Sequence, residues 1–313
     1  MAEYSVALHQ IISELHLEVV CGPEDYEDIL IKSRAVTRPA LPLTGFYEYF
    51  DGDEVQVIGK AEDYYLQSLT QAQRQESLDK LLSYHIPLLV LANGIEVMPE
   101  YVEMAKKHGV TLTWTKERTS SFVSALSASL NVHLGERCTI HGVLVEVYGE
   151  GILLKGDSGV GKSEAALELV KRGHQLAADD VVDICRVSDD RLVGEAPEMV
   201  RHFMEIRGIG IIDIRAMYGV GAVALSKSID LVMHMEKWVE GKEYDRLGLS
   251  EEYITILGVK VPHQIMPVRP GRNLAIIIEV AARDLSLKRM GYSAAHELDR
   301  RLNEMSMKNS GQQ

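Results

Sequence analysis

Residues 156–163 read Gly156, Asp157, Ser158, Gly159, Val160, Gly161, Lys162 and Ser163, and they fill every fixed position of the pattern G-x-x-x-x-G-K-[ST]. This stretch limits the fold more than any other. Its three glycines let main-chain N–H groups converge on a phosphate without side-chain obstruction. A strand must deliver the chain to the loop, and a helix must leave it to add the positive potential of its amino terminus. Both are legible. Ile152, Leu153 and Leu154 form an apolar strand before the loop. After it, Ala165, Ala166, Leu169 and Val170 form the stripe of a helix, Lys171 and Arg172 suit its carboxyl end, and Gly173 stops it. Lys162 would place an ammonium on the β- and γ-phosphates, and the Ser163 hydroxyl is suited to Mg²⁺. ATP and Mg²⁺ are therefore the expected ligands.

The chain has 313 residues, more than one core usually holds, so two α/β domains are expected, 1–132 and 133–313. In the first, residues 4–15 have helical spacing and 86–91 form a buried strand before an Asn93-Gly94 turn. Residues 99–108 form a helix with Pro99 at its start and Gly109 past its end. A strand over 110–114 and an amphipathic helix over 119–130 complete a βαβ rhythm. Beyond the boundary, 143–148 and 152–155 are strands around a Gly149-Glu150-Gly151 turn, and 181–187 with 191–194 form a hairpin. Residues 274–278 read as a strand and 279–290 as a helix stopped by Gly291. Ser293 caps a last helix to about residue 305, with 307–313 expected to fray.

A formal net charge of −13 argues against a nucleic-acid partner, whose phosphates call for Lys and Arg. Cys21, Cys138 and Cys185 are too scattered for a disulfide framework or a zinc site and are expected as small buried thiols. The first residues lack a basic start followed by an apolar run, and no apolar stretch is long enough to span a bilayer, so the expected location is cytoplasmic.

Phosphoryl transfer to a hydroxyl also needs carboxylates for the metal and the proton. Asp179 and Asp180 follow an apolar run near a strand boundary. Adjacent strand residues face opposite ways, so one can face the phosphates and the other structure or solvent, which leaves their roles open. An aspartate is a weak base at about 3.9, and burial or a neighbouring carboxylate improves it. Glu205, Arg207 and Asp213 are charges set in an apolar run, Met204, Glu205, Ile206, Arg207, Gly208, Ile209, Gly210, Ile211, Ile212, Asp213, whose glycines suggest close backbone approach.

Together with Pro267, Val268, Arg269, Pro270, Gly271 and Arg272, these segments resemble the bacterial HPr kinase/phosphorylase family. The resemblance implies an amino-terminal α/β domain and a P-loop kinase domain similar to phosphoenolpyruvate carboxykinase around the nucleotide. It implies a homohexamer that phosphorylates a serine of the phosphocarrier HPr with ATP. It further implies removal of that phosphate by inorganic phosphate, giving pyrophosphate. The family's direction is set by metabolites, fructose 1,6-bisphosphate and ATP against phosphate, and it regulates carbon catabolite repression and sugar uptake. Residue by residue, the resemblance makes Lys162 a phosphate ligand, Ser163 and Glu205 magnesium ligands, and Asp180 the group that exchanges a proton with the serine. It adds His141 and Arg246 to the active site, makes 204–213 a segment for both reactions, and ties 267–272 to dephosphorylation. Two rivals are a small-molecule kinase using the same loop, and a nucleotide-gated switch that binds without transfer.

Overall fold

The computed structural model describes residues 4–244 and 251–310. The chain divides into two compact units, Met1–Glu136 and Arg137–Gln313.

The first unit opens with a short strand, Val6–Ala7, paired with Leu30–Ile31, so the helical spacing expected from residue 4 becomes a helix only at α1 (Leu8–Glu14). A five-stranded sheet follows in the order β1-β5-β4-β3-β2, made of β1 (Glu18–Cys21), β2 (Val36–Thr37), β3 (Val55–Ile58), β4 (Leu89–Leu91) and β5 (Leu112–Trp114). Strands β2 to β5 are parallel neighbours, which demands crossovers. Helices α2 (Lys60–Ser68) and α3 (Gln71–Leu82) supply one, and α4 (Pro99–His108) the next. α4 starts on Pro99 and ends against Gly109, whose φ of 65° terminates it. α5 (Thr119–His133) runs beyond residue 132. Val55, Val57 and Val90 pack against Leu8, Ile11, Phe122 and Leu126. Ile58, Leu89 and Leu91 pack on the other face against Leu78, Leu82 and Tyr101. Burial on both faces is why 86–91 reads as a continuous apolar run.

The second unit has three layers. Its strands are β6 (Arg137–His141), β7 (Val143–Val147), β8 (Glu150–Gly156), β9 (Gln175–Ala178), β10 (Val181–Arg186), β11 (Leu192–Glu195), β12 (Phe203–Ile206), β13 (Gly210–Asp213), β14 (Ser226–Ser228), β15 (Leu231–Lys237), β16 (Glu252–Ile256) and β17 (Val259–Val268). Its long helices are α6 (Lys162–Lys171), α7 (Leu274–Arg289) and α8 (Ala294–Ser310). A six-stranded sheet runs β9-β7-β8-β15-β17-β16, a four-stranded sheet β14-β11-β10-β6, and β12 with β13 forms a separate hairpin. Strands β8, β15 and β17 are parallel, so their carboxyl ends lie along one edge. Val143, Val145 and Val147 face α6 and α7, meeting Ala166, Leu169, Ile278 and Ala282. Leu144, Leu153 and Val232 face the opposite way and meet Val182, Ile184 and Leu192 of the four-stranded sheet. Truncating a fully buried leucine here, such as Leu154, to alanine costs about 2–5 kcal/mol.

Residues 274–278 are not a strand but the first turns of α7. Asn273 caps it, its side-chain oxygen accepting from the Ile276 N–H at 3.2 Å. Ala275, Ile278, Ala282 and Leu285 recur at helical spacing on the buried face, and Ile276 is left 47% exposed. A helical stripe thus outweighs the β preference of three successive isoleucines. The last helix runs to Ser310 rather than to about 305, and 311–313 lie outside the described residues. The three cysteines are only partly buried, against the expectation of buried thiols. Among the described residues no helix is long and apolar enough to cross a membrane.

Candidate active site

Strand β8 ends at Gly156 in the middle of the six-stranded sheet, and α6 begins at Lys162, so the loop between them sits where parallel strands deliver ligand-binding turns. Gly156 has φ 140°, and a Cβ there would fall 2.1 Å from the Met235 carbonyl oxygen, so no other residue fits. Gly161 has φ 103° and starts α6 with no side-chain cap. Val160 is buried and ties the loop to the core. The Lys162 ammonium donates to the carbonyl oxygens of Gly156 at 2.8 Å and Asp157 at 3.1 Å, wrapping the loop.

Asp179 and Asp180 lie between β9 and β10, where the chain leaves one sheet for the other. They differ sharply. Asp179 is buried; one carboxylate oxygen accepts from the Ser163 hydroxyl at 2.8 Å and the other from the Glu205 N–H at 3.2 Å. Burial pushes its carboxyl above the ordinary range, Asp180's charge adds to this, and the two hydrogen bonds oppose it. Asp180 is exposed, with φ 64°, an unusual conformation for a non-glycine residue. The alternation expected of strand neighbours is replaced by a turn that buries one acid and projects the other.

The 204–213 segment is the hairpin β12–β13. A Cβ at Gly208 or Gly210 would meet nothing within 4 Å, and their φ values are 84° and 106°. These glycines therefore serve the turn, not the close backbone approach expected of them. Met204 and Ile206 are buried and Ile212 packs against the same core. Asp213 caps the short helix Ile214–Tyr218, accepting from the Ala216 N–H at 2.9 Å. Arg207 reaches back across the loop and donates to the Ser158 hydroxyl at 2.7 Å. A cleft of about 110 Å³ results, lined among others by Lys162, Ser163, Asp179, Asp180, Glu205 and Arg207. It is smaller than the roughly 300–1,000 Å³ that encloses a drug-sized ligand and suits the phosphate end of a nucleotide.

His141 ends β6, exposed, as the register partner of Val181, and the Gly142 N–H donates to the Asp180 carbonyl at 3.0 Å. Its backbone is thus near the aspartate pair, but its ring does not line the cleft. Arg269 and Arg272 do not line it either: Arg269 lies 3.3 Å from the centroid of the Trp238 ring, and Arg272 donates to the Pro267 carbonyl at 3.2 Å. Their segment follows β17, whose carboxyl end shares the sheet edge of β8. Arg246 lies outside the described residues. Two contacts gave no signal in the sequence, the acceptance of the Ser163 hydroxyl by Asp179 and the Arg207 bridge to Ser158.

The oxygen donors at the cleft, Ser163, Asp179 and Glu205, are those a hard cation such as Mg²⁺ takes. Among the described residues no group of three or more His, Cys, Asp or Glu side chains is placed to hold a metal ion by itself.

Two family descriptions match, "HPr Serine kinase N terminus" over residues 6–130 and "HPr Serine kinase C-terminal domain" over 132–302. The chain belongs to the HPr serine kinase family. An HPr kinase/phosphorylase of Caldicellulosiruptor bescii is 51% identical over 302 residues, covering 96% of this chain and 97% of that protein. One from Lachnoclostridium phytofermentans is 50% identical over 308 residues, covering 98% and 99%. The solved Hpr(Ser) kinase/phosphatase of Coxiella burnetii is 34% identical, with TM-score 0.47, covering 51% of this chain and 98% of that one. As a member of the HPr serine kinase family, the chain is an enzyme of the protein serine kinase and phosphorylase class and uses ATP.

Proposed function

We propose that this enzyme transfers the γ-phosphoryl group of ATP to a serine of HPr, and returns it to inorganic phosphate with release of pyrophosphate. The observation that carries the reading is the pairing at the cleft of a buried, doubly hydrogen-bonded Asp179 with an exposed Asp180. Both oxygens of Asp179 are engaged, so it suits holding the Ser163 hydroxyl and Glu205 in place. Asp180 is within reach of a hydroxyl carried by another protein and takes its proton; in the return direction it gives the proton back. The N–H groups of 156–161 and the start of α6 cradle phosphate oxygens. Lys162 exchanges its two carbonyl partners for the β- and γ-phosphates. Ser163 and Glu205 would hold Mg²⁺, which when bound offsets phosphoryl charge, with Asp179 fixing both in place. Arg207, already on the loop, faces the same charge. Most of the acceleration on this reading is positioning and electrostatics. The family resemblance extends the reading to a cytoplasmic homohexamer under metabolite control, with Arg269 and Arg272 serving the return reaction.

The test is the mass of purified HPr, first with ATP and Mg²⁺ and then with excess phosphate. One phosphoryl group should appear on a serine and then leave as pyrophosphate accumulates. An HPr mass that never changes would overturn the reading, and transfer to a small metabolite instead would favour the small-molecule kinase.

A further inference from the structure

Arg38 rests on Glu62, Arg74 on Glu100, and Arg289 on Glu150 and Asp230. Arg269 is held differently. Among the described residues no carboxylate pairs with it, and its guanidinium carbon lies 3.3 Å from the centroid of the Trp238 ring. The two kinds of support are not equivalent. A carboxylate neutralises a guanidinium and occupies its N–H edge. An aromatic face holds the plane flat and leaves both the charge and the N–H edge available. Trp238 is itself fixed. Its main-chain N–H donates to the Val268 carbonyl at 3.0 Å, across the parallel ladder of β15 and β17. The Tyr244 ring braces it at a centroid distance of 4.7 Å, and the Tyr244 hydroxyl accepts from the Val239 N–H at 3.2 Å. Trp238 is half-buried, whereas Arg269 is exposed. The chain then returns to the phosphate loop. The Arg272 main-chain N–H donates to the Arg269 carbonyl at 3.3 Å, closing a turn through Gly271, whose φ is 84°. Leu274 follows, so close that a Cβ on Gly161 would lie 3.5 Å from its side chain.

We infer that Trp238 is the positioning residue for Arg269, holding its guanidinium uncompensated beside the phosphate loop to receive inorganic phosphate. The inference rests on the proposed return reaction and names what orients its arginine. In that reaction an oxygen of inorganic phosphate bonds to the seryl phosphorus, the bond from phosphorus to the serine oxygen breaks, and that oxygen takes the proton of Asp180. Two anionic groups must approach each other, and a cation beside the incoming one lowers their repulsion. A loose arginine side chain loses conformational freedom when it grips an anion, whereas one already laid on a ring has lost it beforehand. Trp238 touches no reactant and acts through Arg269. Transfer from ATP to a serine involves no inorganic phosphate, so the ring serves the return direction.

The experiment follows pyrophosphate release from serine-phosphorylated HPr against phosphate concentration, beside the forward reaction against ATP. Trp238→Leu should raise KM for phosphate about fivefold, the scale of one cation–π contact. KM for ATP should stay close to wild type. Trp238→Phe keeps an aromatic face and should recover most of the loss. Arg269→Gln should itself raise KM for phosphate, and adding Trp238→Leu to it should change nothing further, as expected of two residues acting as one. An unchanged KM for phosphate in Trp238→Leu overturns the inference while leaving the proposed function standing. An equal rise in KM for ATP also overturns it, because the whole loop is then distorted. A full further loss in the Arg269→Gln background overturns it too, since the ring then acts by another route. Trp238→Met fills more of the space without an aromatic face and takes the place of the leucine variant in the same cycle if that one unfolds. A normal KM for phosphate in Arg269→Gln is a different result and removes the assignment of Arg269 to the return reaction first.

Discussion

The tetrapeptide Gly-Lys-x-Glu occurs at a helix start in both units, and the two copies have opposite fates. In the first, β3 runs into Gly59 and Lys60, and the Glu62 carboxylate folds back to accept the Gly59 N–H at 3.0 Å and Arg38 at 2.7 Å. In the second, Gly161, Lys162, Ser163 and Glu164 begin α6, yet no side chain caps Gly161, and Glu164 stays exposed. Backbone conformation is the difference. Gly59 has φ −110°, the extended form a cap requires, so a carboxylate three residues on can close the box. Gly161 has φ 103°, which breaks that geometry and turns the helix start toward the loop. One amino terminus is neutralised by its own chain and the other is left for an outside anion.

The comparison is broken most directly by the two lysines. Lys162→Ala should lower phosphoryl transfer about 10²–10³-fold, whereas Lys60→Ala should leave it within about twofold; equal losses in a transfer assay would erase the distinction. Next come the glycines before each helix. Gly156→Ala forces a Cβ onto the Met235 carbonyl and should cost about 3 kcal/mol in urea unfolding. Gly59→Ala meets only the Thr119 side chain and should cost about 1 kcal/mol. A smaller effect separates the two glutamates. Glu62→Gln should destabilise by about 1 kcal/mol, while Glu164→Gln should change stability by less than about 0.5 kcal/mol.

The smallest expected effect concerns the acid kept beside the uncapped helix. Folded, Asp179 holds its proton to higher pH than an ordinary carboxylate, so across that interval the folded chain binds more protons than the unfolded one. Stability attributable to this group is therefore greatest below the ordinary value of about 3.9 and falls as pH rises through the raised one. Asp179→Asn should unfold at a higher temperature than wild type near neutrality, with the two curves converging in acid. A gain that persisted undiminished below that range would place its origin elsewhere.

Much of the second unit was legible because local rules and burial agree there. The strand before the loop, the buried stripe Ala165, Ala166, Leu169, Val170 and the stop at Gly173 all stand as read. In the first unit, Pro99 and Gly109 bracket α4 for the same reason. The strand expected at 274–278 failed because a short apolar run has no period of its own, and its capping Asn273 lies just outside it. Asp179 and Asp180 could not be told apart, since their difference depends on Ser163 and Glu205 arriving from other elements.

Taken alone, the order of amino acids determined a glycine-rich strand-to-helix loop at 156–163, because glycine alone readily tolerates those dihedral angles and contacts, and it placed a lysine and a serine directly after the last glycine. Tertiary structure decided which Gly-Lys-x-Glu stays open, which aspartate is buried, and that Arg207 lies across Ser158. Those outcomes rest on burial and on hydrogen bonds between residues up to 49 positions apart, which no local pattern encodes.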